Sequence, residues 1–133
     1  MTAEFSMELE FPELKVAVEE KELGSSSIRV VKLVGRITNT NSQEFNRKFY
    51  KLLANSSQIM VFDLSELDYI NSTGVAILFS IHYRARENGG RLVIGGLHNF
   101  LRKVFGLMDL PPELKLYPTL EEALEATESD LSN

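Results

Sequence analysis

Between Val61 and Leu78 the chain reads VFDLSELDYINSTGVAIL, and no other stretch constrains the fold so tightly. An apolar, strand-like run ends at Asp63. A polar connector follows, and Asn71-Ser72-Thr73-Gly74 opens directly onto an apolar, helix-like segment. A hydroxyl pair therefore stands where the chain leaves a sheet and enters a helix. Steps of this kind build α/β folds.

The flanking sequence repeats the alternation. Leu14–Glu19 has the two-residue period of a half-buried strand, and Ile28–Val34 is a β-branched run ending at Gly35. Lys21–Ser27, with Gly24 and three serines, can close a hairpin between them. Thr40 or Asn41 caps a helix whose apolar positions Phe45, Phe49, Leu52 and Leu53 share one face, and Asn55-Ser56-Ser57 ends it. Gln58–Phe62 is a strand apolar on both faces. Thr73–Glu87 is a helix stopped at Asn88-Gly89-Gly90. Arg91–Ile94 is a strand ending in Gly95-Gly96, and Asn99–Phe105 is a short helix closed by Gly106. After the break at Leu110-Pro111-Pro112 come a short strand, Leu114–Tyr117, and a helix with Thr119 as cap and Glu122 at the third position.

This order predicts an α/β fold: one domain with a mostly parallel sheet of about five strands, an antiparallel N-terminal strand and about four helices. Residues 1–13 read as an acidic lead-in, 14–127 as the domain, and 128–133 as a flexible tail. The strand C-termini, including Asp63 and the Ile94–Gly96 turn, should gather at one end of the sheet, where partners and ligands of open α/β sheets bind.

Composition narrows the function. With 133 residues and 44% hydrophobic content the chain suits a single globular domain. Its lack of cysteine excludes disulfides, thiolate catalysis and Cys-based zinc sites, and accords with a reducing compartment. The longest apolar run, Val75–Ile81, is far short of the ~20 residues of a membrane span, and the acidic N-terminus lacks the pattern of a secretory signal. A cytoplasmic protein with no membrane insertion is expected. Residues 1–22 and 113–133 each carry about −5 by formal count and the middle about +5. The basic residues of that middle recur on the solvent faces of three helices with no nucleic-acid-binding motif, so no direct nucleic acid partner is expected.

Catalytic constellations are thin. His82 and His98 lack the spacing of a helical metal pair, and Ser72 has no GxSxG elbow around it. A Ser72, His98 and Asp63 arrangement has nothing in the sequence to favour it. Gly95-Gly96 lacks phosphate-loop spacing and reads as a tight turn. Asp63 and Asp68 with a serine suit Mg²⁺ in ligand type, but backbone N–H groups are the better partners for Asp63. No enzyme activity, cofactor or metal is expected.

The corner at Asn71-Ser72-Thr73 carries more. Any of the three can cap the helix that follows. Neither Gly74 nor Val75 supplies the acid of a capping box, so the helix N-terminus stays electropositive and would favour a phosphate. The segment Val75, Ala76, Ile77, Leu78, Phe79, Ile81 is apolar on nearly every side, so its surplus must face another element, such as the Asn99–Phe105 helix, or a second protein.

At this corner the chain resembles the STAS-domain family, and within it the single-domain anti-sigma factor antagonists of bacteria. The likeness rests on Asp63-Leu64-Ser65, Leu67, Ile70, Asn71-Ser72-Thr73-Gly74-Val75, Asn88-Gly89-Gly90, Leu101, Val104, Phe105-Gly106-Leu107 and Leu120-Glu121-Glu122-Ala123-Leu124, over about Leu14 to Thr127. The resemblance implies a regulator of transcription that binds an anti-sigma factor, often a serine kinase of the histidine-kinase-like ATPase fold. It implies phosphorylation by that kinase on the serine matching Ser72, and reversal by a PP2C-type phosphatase. Partner-binding residues would be Asp63, Ser65, Ile70, Asn71, Thr73, Gly74, Val75 and Ile77, in a monomer or weak dimer. Asn71 stands where the family usually has Asp. The alternative within the resemblance is a STAS scaffold or adaptor of a stress-sensing or lipid-transport complex, in which Ser72 is only a cap.

Overall fold

The computed structural model describes residues 6–53 and 58–132. In chain order the elements are β1 (Ser6–Phe11), β2 (Leu14–Leu23), β3 (Ser26–Ile37), α1 (Ser42–Leu53), β4 (Ile59–Ile70), α2 (Ser72–Glu87), β5 (Arg91–Gly95), α3 (Asn99–Gly106), β6 (Lys115–Leu116) and α4 (Leu120–Leu131). The strands form one sheet in the order of the sequence. β1–β2 and β2–β3 are antiparallel, and every later pair is parallel. The expected α/β class is therefore the observed one, with a sixth strand.

That sixth strand is β1, inside the stretch read as an acidic lead-in. Its alternation of exposed Glu8 and Glu10 with partly buried Met7 and Leu9 is the period of an edge strand, and the two glutamates keep the open edge charged. At the other end α4 continues to Leu131, past the boundary read at residue 127. Residues 1–5, Asn133 and the helix stop read at Asn55-Ser56-Ser57 lie outside the described residues.

A sheet that grows in one direction through right-handed crossovers places successive helices on one face. Accordingly α1, α2 and α3 share one core with the inward residues of the sheet, including Val16, Leu33, Phe62 and Ile94. Phe11, Phe45, Phe49 and Phe62 run through it as a chain of rings with centroids 4.8–6.0 Å apart. The opposite face holds a smaller cluster in which Ala123, with Leu120 and Leu124, covers Ile28, Val61 and Val93. β4 is thus apolar on both faces because helices cover both.

The main difference from expectation is the length of β4. The sequence suggests a strand ending near Phe62 and then a connector, because polar side chains crowd the stretch from Asp63 to Asn71; the structure buries Leu64, Leu67 and Ile70, every third residue, within it. In the structure this stretch is strand. Lys32 pairs with Asp63 but Val34 with Glu66, and Gly35 with Leu67 but Arg36 with Tyr69. At each shift β4 contributes one residue more than β3, so two bulges convert a period of two into a period of three. The first is bridged by an ion pair of Lys32 with Glu66, whose hydrogen bond and charge raise the Lys32 pKa above the usual lysine value.

Asn41 precedes α1, as read, but its side chain is spent elsewhere. Oδ1 accepts from Thr38 N at 3.1 Å, and Nδ2 donates to Pro12 O at 2.6 Å and Arg36 O at 2.8 Å. A fully buried amide thereby ties the β1–β2 turn to the end of β3. Asn41→Asp keeps the shape but faces two carbonyls with no donor. The expected loss is about 2–4 kcal/mol in urea unfolding, larger than for a surface Asn→Asp change.

Candidate functional site

The sharp entry into α2 is made by three contacts. Asn71 N donates to Ile37 O at 3.2 Å, which fixes the end of β4 to the end of β3. Asn71 has extended backbone angles, and its Oδ1 accepts from Gly74 N at 2.8 Å, so Asn71 is the N-cap. Its Nδ2 donates to Asn39 Oδ1 at 3.0 Å, a bond that an aspartate at 71 could not supply. Gly74 is buried where the helix meets the sheet. A Cβ there would lie 2.7 Å from both Ile37 Cγ2 and Ile70 Cγ1.

This arrangement separates the cap from the hydroxyls. Ser72 is the first residue of α2 and is exposed, as is Thr73. Among the described residues, no side-chain hydrogen bond engages the Ser72 hydroxyl. The first turn of α2 contains no acid. The result is an unengaged hydroxyl at the positive end of a sixteen-residue helix dipole.

The remaining expected partner-binding residues divide. Ile70, Val75 and Ile77 are buried in the main core, and Gly74 is buried beside them against Ile37 and Ile70. Much of the apolar surplus of α2 is used inside the fold: Phe79 lies against Phe105 of α3 with centroids 6.2 Å apart. Asp63 and Ser65 belong to a different place. Lys32 is opposite Asp63 and Ile37 opposite Ile70, so five steps of β3, roughly 17 Å, separate the two ends of the set.

Around Asp63 the geometry is structural. Its Oδ1 accepts from Ser65 N at 3.0 Å, which turns the backbone through the first bulge. Gly96, at φ 75°, packs so closely that a Cβ would sit 2.5 Å from Ser65 N and 2.7 Å from Asp63 Oδ1. His98 Nε2 donates to Leu67 O at 2.8 Å and pins the start of α3 to β4. Ser72, His98 and Asp63 are therefore not assembled into a catalytic set. Among the described residues, no group of three His, Cys, Asp or Glu side chains is placed to hold a metal ion, and no helix is long and apolar enough to cross a membrane.

Sequence reasoning missed a row of side chains leading away from the corner. The Arg36 guanidinium lies 5.2 Å from the Tyr69 ring centroid, and Tyr69 stacks on Phe100 of α3 at 5.9 Å. Phe100 is exposed and Tyr69 half-buried. Neither periodicity nor a motif marks these three residues, since they meet only through the β3–β4 register and the packing of α3. Asn39 was likewise invisible except as one more polar residue in a turn.

The chain matches the STAS domain over residues 22–123. It belongs to that family. Its fold is shared by an anti-sigma factor antagonist from Mycobacterium paratuberculosis, at 26% identity and a TM-score of 0.67, over 89% of this chain and 97% of that one. The phosphorylated form of SpoIIAA, the Bacillus cell fate determinant, superposes with a TM-score of 0.59 at 18% identity, over 83% and 98%. The murine anion transporter Slc26a9 contains a similar fold, with a TM-score of 0.65 at 12% identity; 77% of this chain matches only 18% of the transporter.

Two substitutions test the separation of cap from hydroxyl. Asn71→Ala should lower stability by about 0.5–2 kcal/mol, whereas Ser72→Ala should stay within roughly 0.5 kcal/mol of the parent in the same denaturant titration. Gly74→Ala, which forces a methyl against two isoleucines, should cost about 1–3 kcal/mol by thermal or urea unfolding.

Proposed function

We propose that this protein is an anti-sigma factor antagonist whose binding is switched by phosphorylation of Ser72. The observation that carries the reading is the exposed Ser72 hydroxyl beside a cap already filled by Asn71. Modification at that oxygen breaks no hydrogen bond of the fold. It adds about −1.5 to −2 charges at a helix end whose first turn has no acid to repel them. The folded state tolerates both forms, and only the surface changes.

The partner in this reading is an anti-sigma factor that is also a serine kinase of the histidine-kinase-like ATPase fold. It docks over Ser72, Thr73 and the neighbouring Arg36–Tyr69–Phe100 row, side chains of the types that concentrate binding energy in interfaces. A dianion buried there without a facing arginine is costly, so phosphorylation releases the complex, and a PP2C-type phosphatase restores binding. The protein acts by binding and not as an enzyme, in the cytoplasm, as a monomer or weak dimer. That SpoIIAA, of the same fold, exists in a phosphorylated form supports the reading. Asn71 in place of the usual Asp leaves the cap intact and removes one negative charge from beside the acceptor.

Incubation with the ATPase-fold kinase and ATP should add one phosphate to the parent and none to Ser72→Ala, as read by intact mass. Ser72→Glu should weaken binding to that kinase at least about tenfold, ~1.4 kcal/mol, with an unchanged circular dichroism spectrum. Equal affinity of Ser72→Glu and parent would reject the switch and leave a passive STAS adaptor.

A further inference from the structure

A second feature lies away from the Ser72 corner. Between α3, the loop after it and β6 there is a groove of about 290 Å³ lined by Leu97, Phe105, Leu110, Leu116 and Tyr117. Its floor is core, since Leu97 and Phe105 are buried. Part of its lining is apolar surface left in water, with Leu110 43% exposed. The walls are held from outside. Tyr117 N donates to Ile94 O at 2.8 Å, and Leu97 N donates to Tyr117 O at 3.2 Å. The loop carrying Leu110 is tied to α2 by His82 Nε2 to Pro112 O at 3.1 Å and by an Arg86–Glu113 ion pair at 2.8 Å.

One charged side chain, Arg102, lines this groove. Its guanidinium makes no hydrogen bond or ion pair among the described residues, although other arginines of the fold do. A planar cation with five donors beside an apolar channel is matched by a carboxylate on an apolar body. The volume is at the lower bound of small-molecule pockets, about 300 Å³, which excludes a large lipid. The charge is single, which disfavours polyphosphates.

We propose that the groove between α3 and β6 binds a medium-chain monocarboxylic acid. The chain lies against Phe105, Leu110, Leu116 and Tyr117, and the carboxylate is paired bidentately with Arg102. The site is independent of the Ser72 reading and stands or falls separately from it. Gly106 supplies a clean control. It lines the groove in a helical conformation, and a Cβ there meets no atom within 4 Å, so a large side chain can enter without displacing the core.

The test is a methyl NMR titration of the full chain with decanoate, below its micelle-forming concentration, alongside decanol. Decanoate should shift the methyls of Leu97, Leu110 and Leu116 saturably. Arg102→Gln should weaken its binding about tenfold, the size of a lost charge-assisted contact, while leaving decanol unaffected. Gly106→Phe should abolish both while the rest of the spectrum stays folded. The proposal is overturned if decanoate shifts none of these methyls, if its shifts survive Gly106→Phe, or if decanol binds as tightly as decanoate.

Discussion

The parallel pairing of β3 with β4, with its two bulges, is the constraint on which the rest depends. Regular pairing would alternate Leu64, Leu67 and Ile70 between the two faces of the sheet and expose one of them. The bulges return all three to the core, where each is essentially fully buried. They also carry the strand far enough for Asn71 to meet Ile37 O, which sets the point at which α2 begins. The position of Ser72 in space is therefore a consequence of strand register, several residues upstream of the helix it opens.

At that point the cap and the exposed hydroxyl fall on different residues. Asn71 satisfies the first free N–H of the helix and reaches Asn39 with its other end. Ser72 is left with no structural duty. Here the cap and the exposed hydroxyl are neighbouring residues, so the hydroxyl carries no bond on which the helix depends.

Most of the architecture was legible in the sequence because burial on one or both faces imposes a period. Leu14–Glu19, the helix through Phe45 and Phe49, the Arg91–Ile94 strand and the Thr119 cap, which accepts from Glu122 N at 3.1 Å, all lie as their residues imply. β1 was not legible, because an edge strand buries little and its glutamates resemble a solvated tail. The second half of β4 was not legible either, because bulges destroy the period that marks a strand. In the candidate site, Ser72 and Asn71 could be named but not assigned, since three adjacent residues were equally able to cap.

By itself the sequence determined the order of strands and helices, the presence of a polar corner at 71–73, and the absence of thiol chemistry. Those are properties of composition and local period, which each residue carries wherever the chain goes. Only the tertiary structure decided that Asn71 caps and Ser72 does not, that Ile70, Val75 and Ile77 are buried in the core, and that Asp63 stands roughly 17 Å of strand away from the corner. It also decided that Arg36, Tyr69 and Phe100 form one row and that Arg102 borders an apolar groove. Such facts depend on register and on which helix lies over which strand, and pairings between distant residues leave no period in the chain to be read.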